Sequence, residues 1–338
     1  MKNPKQSLFI VVFFCIQLLL CAQESRLLLD KPGKYKMKYY NVYNQNDCNF
    51  TKVETSANYQ KLLTLTDAIR RNPVLADLKG FDCVASKTSL SCNPLYDYGI
   101  PSQIWIDFCS WSLENGKEVC WTDEPPEWSV DVNCLRTFGV SGFNVTTDVP
   151  SNPKQGFTVD KWEKAADKVN ELFFQPGKKE ALFKGIDRYK GESVIIYNPD
   201  RPAYWLPVTI REAFALLFDY YRLGPDQTTS ESILNILNQE YARFSEAERE
   251  SIAHFDSGFI SDISTDSTGM PLMRLNTAYW NKTLPRSAIQ FLSFYCPGDK
   301  DYIMNEKAEH LKNNEGTYHV SRFIEALDIS ILVHIIEK

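Results

Sequence analysis

The sequence predicts an α+β protein, with a disulfide-stapled, β-rich N-terminal domain followed by a mainly helical domain edged by strands. Three observations carry this reading. Six cysteines crowd between Cys48 and Cys134. An Asn115-Gly116 pair separates two runs rich in β-branched and aromatic residues. Three helix-capping patterns follow one another after residue 200.

The N-terminus comes first. Residues 2–7 hold Lys2 and Lys5 and no acid, and an apolar run from Leu8 to Ile16 and from Leu18 to Ala22 follows. A cationic start, a short apolar centre and a small residue before a polar stretch describe a signal peptide over 1–22. That leaves Gln23 as the mature start. Gln17 interrupts the run, which falls short of the ~20 apolar residues a bilayer span needs. Cys21 is a possible lipid-anchor site, weakened by Leu20 before it, because lipidated cysteines follow a small residue. The expectation is a secreted, periplasmic or cell-envelope protein with no transmembrane segment once the signal is removed.

The net charge of −6 becomes −8 when the two lysines of the leader go. A mildly acidic chain without a basic stripe is a poor nucleic-acid binder. The remaining length suits two domains, over 23–150 and 156–338. The polar, Pro- and Asn-containing stretch 146–156 divides them. In an oxidising compartment Cys48, Cys83, Cys92, Cys109, Cys120 and Cys134 read as up to three disulfides. Zinc needs close cysteine pairs, and spacings of nine, seventeen, eleven and fourteen residues from Cys83 to Cys134 lack them. Neither a metal nor a cofactor is expected.

Within the first domain, residues 35–43 alternate as a strand and 56–70 carry apolar residues at helical spacing. Residues 103–113 and 117–122 form a hairpin, because Asn-Gly accepts the positive φ that a two-residue type I′ turn demands. Glu114 then faces Lys117 and Trp111 faces Cys120. Cys109 and Cys120 fall diagonally, ~7–8 Å apart, too far for the ~3.5–4.5 Å between disulfide Cβ atoms. Residues 128–135 give a third strand. Cysteines and Leu113 mark the inner face, so Trp105 and Trp111 should be core, with Trp121 or Trp128 the exposed aromatic.

In the second domain, Trp162–Phe174 has one apolar face, and Thr209-Ile-Arg-Glu212 is a capping box ahead of a helix through Tyr221. Thr228–Glu231 and Ser245–Glu248 repeat the capping pattern. Strands are expected over 194–197, 272–276, 288–296 and 329–336.

Chemistry-bearing motifs are weak. His254, His310, His319 and His334 include no helical i, i+4 pair to hold a metal. Asp256-Ser-Gly258 has no second copy with which to share a proton and reads as a helix terminus. Asp262, Ser264 and Asp266 begin like a calcium loop that Ser267 and Met273 then break. Gly139-Val-Ser-Gly142 lacks the last glycine of a nucleophile elbow. The densest feature is Trp105, Trp111, Trp121 and Trp128 interleaved with carboxylates. Exposed indoles beside acids suit a ligand with apolar faces and hydroxyl groups, whereas a Trp-lined core explains the same residues without a ligand. The sequence therefore points to a binding or interaction module for a glycan or protein, with Trp121, Trp128, Asp123 and Glu127 as ligand contacts. The alternative is a hydrolase of glycan or peptide drawing paired carboxylates from Asp107, Asp123, Glu124, Glu127 and Asp131.

Overall fold

The computed structural model describes residues 26–39, 48–94, 96–135, 140–143, 145–146, 148–255 and 263–338. The expected leader with Cys21, the Gln23 start, Gly139, the Asp256–Gly258 triplet and Asp262 lie outside the described residues. The described residues open on two short strands, β1 (Arg26–Leu27) and β2 (Tyr35–Tyr39). Helix α1 (Lys52–Ile69) starts ahead of its expected bound, because Thr51 and Glu54 make a reciprocal cap. The Thr51 hydroxyl accepts from the Glu54 N–H at 3.2 Å, and the Glu54 carboxylate from the Thr51 N–H at 2.7 Å. That pairing satisfies two N–H groups the helix leaves open. Pro73 stops the run and begins a single turn, α2 (Pro73–Ala76), capped by Asn72.

Four strands follow: β3 (Phe81–Ser89), β4 (Ser102–Glu114), β5 (Lys117–Cys120) and β6 (Glu127–Val132). The hairpin is as expected. Asn115 and Gly116 have φ of 51° and 75°, Glu114 faces Lys117, and Trp111 faces Cys120.

After β7 (Val140–Ser141) come α3 (Val159–Asn170), β8 (Phe173–Phe174), β9 (Lys179–Phe183), β10 (Ile186–Tyr189), β11 (Ser193–Tyr197) and β12 (Trp205–Pro207). The Thr209–Glu212 capping box opens α4 (Ile210–Leu223) as expected. Helix α5 (Gln227–Ala242) is capped by Asp226, whose carboxylate accepts from the Thr228 and Thr229 N–H groups. Ser245 caps the short α6 (Glu246–Arg249). Strands β13 (His254–Phe255), β14 (Ile263–Ser264), β15 (Met270–Leu275) and β16 (Phe291–Tyr295) precede α7 (Lys300–Lys312), α8 (Thr317–Glu325) and α9 (Ser330–Val333). The strand expected over 329–336 is thus a helical turn. Asp328 accepts from the Ser330 N–H and hydroxyl at 3.0 and 2.7 Å, and Leu332 is buried in the main core. A local Asp328 side-chain turn and tertiary packing override the β-branched composition.

The larger sheet runs β2-β3-β4-β6-β16-β11-β10-β9, with β1 and β5 attached to the far half of β4. Among the described residues only β2 and β3 pair in parallel. A smaller sheet, β14-β13-β15-β8-β7 with β12 on β15, lies with α3, α4 and α5 around a second apolar cluster. Strands from both expected ranges, 23–150 and 156–338, join the larger sheet. Val132 of β6 pairs with Leu292 of β16, so the last segment of the chain returns to the first sheet. A polar linker signals an excursion there, and sheet pairing ignores it.

The inner face of the larger sheet carries Ile104, Ile106, Phe108, Trp128, Val130 and Val132 against α1, α8 and α9. This reverses the expected sidedness. Trp105 and Trp111 lie on the opposite face and are half-buried, Trp111 donating to Asp82 Oδ1 at 3.1 Å beneath Lys31. Trp128 is only 3% exposed, between Phe294 and Phe323, and its indole N–H donates to the Tyr295 carbonyl at 2.8 Å. The aliphatic and phenyl side chains, with far more surface to bury, choose the inner face over the cysteines.

One disulfide, Cys48–Cys92, ties the lead-in of α1 to the β3–β4 connection. No second one occurs among the described residues, where Cys83, Cys109, Cys120, Cys134 and Cys296 carry thiols. Register explains part of this difference from the up to three disulfides expected. Cys83 faces Phe108 on the inner side while Cys109 faces Asp82 on the outer, and Cys109 is diagonal to Cys120. Burial pushes the Cys83 thiol up to about 12 and that of Cys109 up to about 11. They remain protonated at neutral pH, which slows thiol–disulfide exchange.

Candidate functional site

The site begins with a change of character along one strand face. Ile104, Ile106 and Phe108 continue in register as Ser110, Ser112 and Glu114. Where the face turns polar, the core ends and a recess opens. Strand β6 pairs with Ser102–Asp107 and β5 with Trp111–Glu114, both along one edge of β4. Between them residues 121–126 leave the ladder, held at its ends by Trp121 N–H to Ser110 O (2.8 Å) and Phe108 N–H to Pro126 O (2.9 Å). Pro125 and Pro126 have no N–H to give a neighbouring strand, so the excursion stays open.

This loop sets Trp121 on the face of Ile104, Ile106 and Phe108, beyond the reach of the core, and leaves it 52% exposed. The recess beneath it has a volume of about 290 Å³ and is walled by Ser110, Ser112, Glu114, Glu124 and Asn314. Ser112 donates to Glu114 Oε1 at 3.0 Å, and the Ser110 hydroxyl reaches the Gly316 carbonyl at the α7–α8 turn. Glu124 has φ of 43°, a left-handed conformation that costs a non-glycine residue about 1–2 kcal/mol. Backbone held in this way clusters at ligand sites.

A second recess, of about 220 Å³, adjoins the first through Pro126, which lines both. Glu127, Tyr295, Tyr302, Glu306 and His310 face it. The His310 Nε2 stands 3.5 Å from Glu306 and 3.6 Å from Glu315, and its Nδ1 is 3.2 Å from the Ser321 hydroxyl.

The structure therefore brings two of the expected contacts, Trp121 and Glu127, to adjoining recesses. Asp123 is exposed on the same loop but lines neither. Trp128 is withdrawn into the core and presents no surface to a ligand. Of the carboxylates considered for hydrolysis, Asp107 and Asp131 belong to the outer face, away from Trp121. Burial and the facing Glu127 raise the Asp107 pKa, while burial pushes Asp131 up to about 6 against a hydrogen bond from Gln103.

Glu114, Ser110, Ser112, Asn314 and the tyrosines were missed from sequence. The first three had a signal, the apolar-to-polar switch at period two; Asn314 and Tyr302 join only through the packing of the helical hairpin. No cluster of three His, Cys, Asp or Glu side chains able to hold a metal occurs among the described residues, and no helix there is long and apolar enough to cross a membrane. Compared with protein-family models, curated proteins and solved structures, the chain has no significant match.

Proposed function

We propose that this chain is an extracytoplasmic binding module that holds a sugar ring against the indole of Trp121. The observation that carries the reading is the exposure of that ring above a recess of hydroxyl, amide and carboxylate groups. An aromatic face covers the C–H face of a pyranose, and convergent polar groups fix its hydroxyls, the division of labour common to small-ligand sites. The N-terminal leader and the Cys48–Cys92 disulfide support an oxidising location.

The test is a titration of the purified protein with neutral oligosaccharides, read by tryptophan fluorescence and calorimetry. Parent protein should bind, and Trp121→Ala should weaken binding at least tenfold while melting normally. Equal affinity in parent and variant sinks the reading.

Hydrolysis is the second reading, favoured by Glu114 and the backbone-strained Glu124 sharing one recess. Glycosidases need two carboxyl groups placed across the scissile bond. Release of shorter sugars by the parent, lost in both Glu114→Gln and Glu124→Gln, would establish it.

A further inference from the structure

The two adjoining recesses share a sign of charge. Glu114 and Glu124 line the Trp121 recess; the other is lined by Glu306, which stands 3.5 Å from His310, and by Glu127, which also faces Asp107 across the ladder; no lysine or arginine lines either. They also share a pattern, because each offers exposed aromatic surface: Trp121 in one, Tyr295 and Tyr302 in the other, at 39% and 45% exposure. Pro126 between them is rigid and carries no N–H, so it divides the groove without adding a polar demand.

We infer that the groove takes a linear oligosaccharide bearing protonated amino groups, a glucosamine-type chain, laid across Pro126 with rings on both aromatic platforms. This rests on the sugar-binding reading of Trp121 and adds its substrate class and length. Carboxylates at both ends draw in ammonium groups and repel uronates, sulfates and phosphates, since complementary charge favours one ligand sign and a like charge penalises the other. Ring stacking supplies the apolar part of the contact at each platform. A dimer reaches one platform. A longer chain reaches both, and the second contact adds to affinity because the first has already brought it near.

Calorimetry with glucosamine oligomers of increasing length decides this, with N-acetylated and galacturonate oligomers as controls. The longest glucosamine oligomer should bind at least tenfold tighter than the dimer and at least tenfold tighter than its acetylated counterpart, weakening as salt rises. Tyr302→Ala should reduce the long oligomer to dimer affinity; Glu306→Gln should reduce the salt dependence. Both side chains are exposed enough for the variants to fold, which thermal melting checks. Equal affinity for amino and acetylated chains, or a Tyr302→Ala variant that keeps the length dependence, overturns the inference. If those chains still bind through Trp121, the sugar-binding reading survives it. Failure of all three oligomer classes to bind removes both.

Discussion

Truncating Trp128 to Ala tests the sidedness of the larger sheet more directly than any other change. The ring is 3% exposed, with ring centroids of Phe294 and Phe323 at 5.5 and 5.0 Å. Removing a core aromatic of this size costs about 3–5 kcal/mol through lost burial and the cavity left behind. The substitution also strips the indole N–H from the Tyr295 carbonyl, bonded at 2.8 Å, which adds about 1 kcal/mol if no water replaces it. A total near 4–6 kcal/mol corresponds to a fall in melting temperature of roughly 6–10 °C for a cooperative unit of about 300 residues. The assay is thermal unfolding followed by circular dichroism, with Trp121→Ala in parallel. That second variant removes an indole already half in water and should melt within about 2 °C of the parent, as surface changes do. If Trp128→Ala melts as the parent does, Trp128 lies on the surface, and the face holding Ile104, Ile106 and Phe108 has been assigned to the wrong side.

Four further outcomes are expected. Non-reducing peptide mapping should recover Cys48 linked to Cys92, with Cys83, Cys109, Cys120, Cys134 and Cys296 alkylated after unfolding; a second linked pair among them would contradict the fold. Replacing both Cys48 and Cys92 by Ala should cost up to about 4 kcal/mol for the loop they close, in the loop-entropy account. His319 is fully buried, its ring nitrogens lack hydrogen-bond partners, and burial beside Arg322 holds its pKa down to about 3. Its folded pKa lies below the unfolded one, so its contribution is complete above about pH 6.5 and is lost as pH falls toward 3, by ~1.4 kcal/mol per unit. Urea unfolding at pH 7.5 and 4.5 should therefore show a smaller acid loss in His319→Gln than in the parent. Glu171 has the opposite sign, because burial pushes its pKa up to about 7. Glu171→Gln should be more stable than the parent at pH 8, by ~1 kcal/mol after screening of a half-exposed carboxylate, and the difference should shrink toward pH 5.

What the sequence made legible was local. The Asn115-Gly116 turn fixed the pairing of Trp111 with Cys120, and the Thr209–Glu212 cap located α4, because both signals are complete within a few residues. The side that faces inward did not follow. Reading cysteines as interior put Trp111 in the core, whereas the aliphatic run Ile104, Ile106, Phe108 was the better marker of the larger apolar area. Asn314, Tyr295 and Tyr302 were invisible for another reason. Asn314 and Tyr302 reach the groove because α7 and α8 fold back over the far end of β4, and Tyr295 because β16 pairs with β6, contacts that no spacing within those segments records.

The β6–β16 pairing has a temporal side. Val132 is synthesised long before Leu292, its partner across the ladder, and Phe323, which closes over Trp128, emerges later still. Contacts so distant along the chain raise contact order and slow folding, since loop closure must precede the reward. Until residues 288–338 have been made, β6 presents an unpaired edge beside an uncovered apolar face, the combination that invites strand-to-strand aggregation. A nascent chain of this design therefore completes this core only after residues 288–338 have emerged. If it crosses a membrane unfolded, that delay keeps it in the threadable state, and losing residues 288–338 exposes the edge and apolar face of the larger sheet rather than trimming its end.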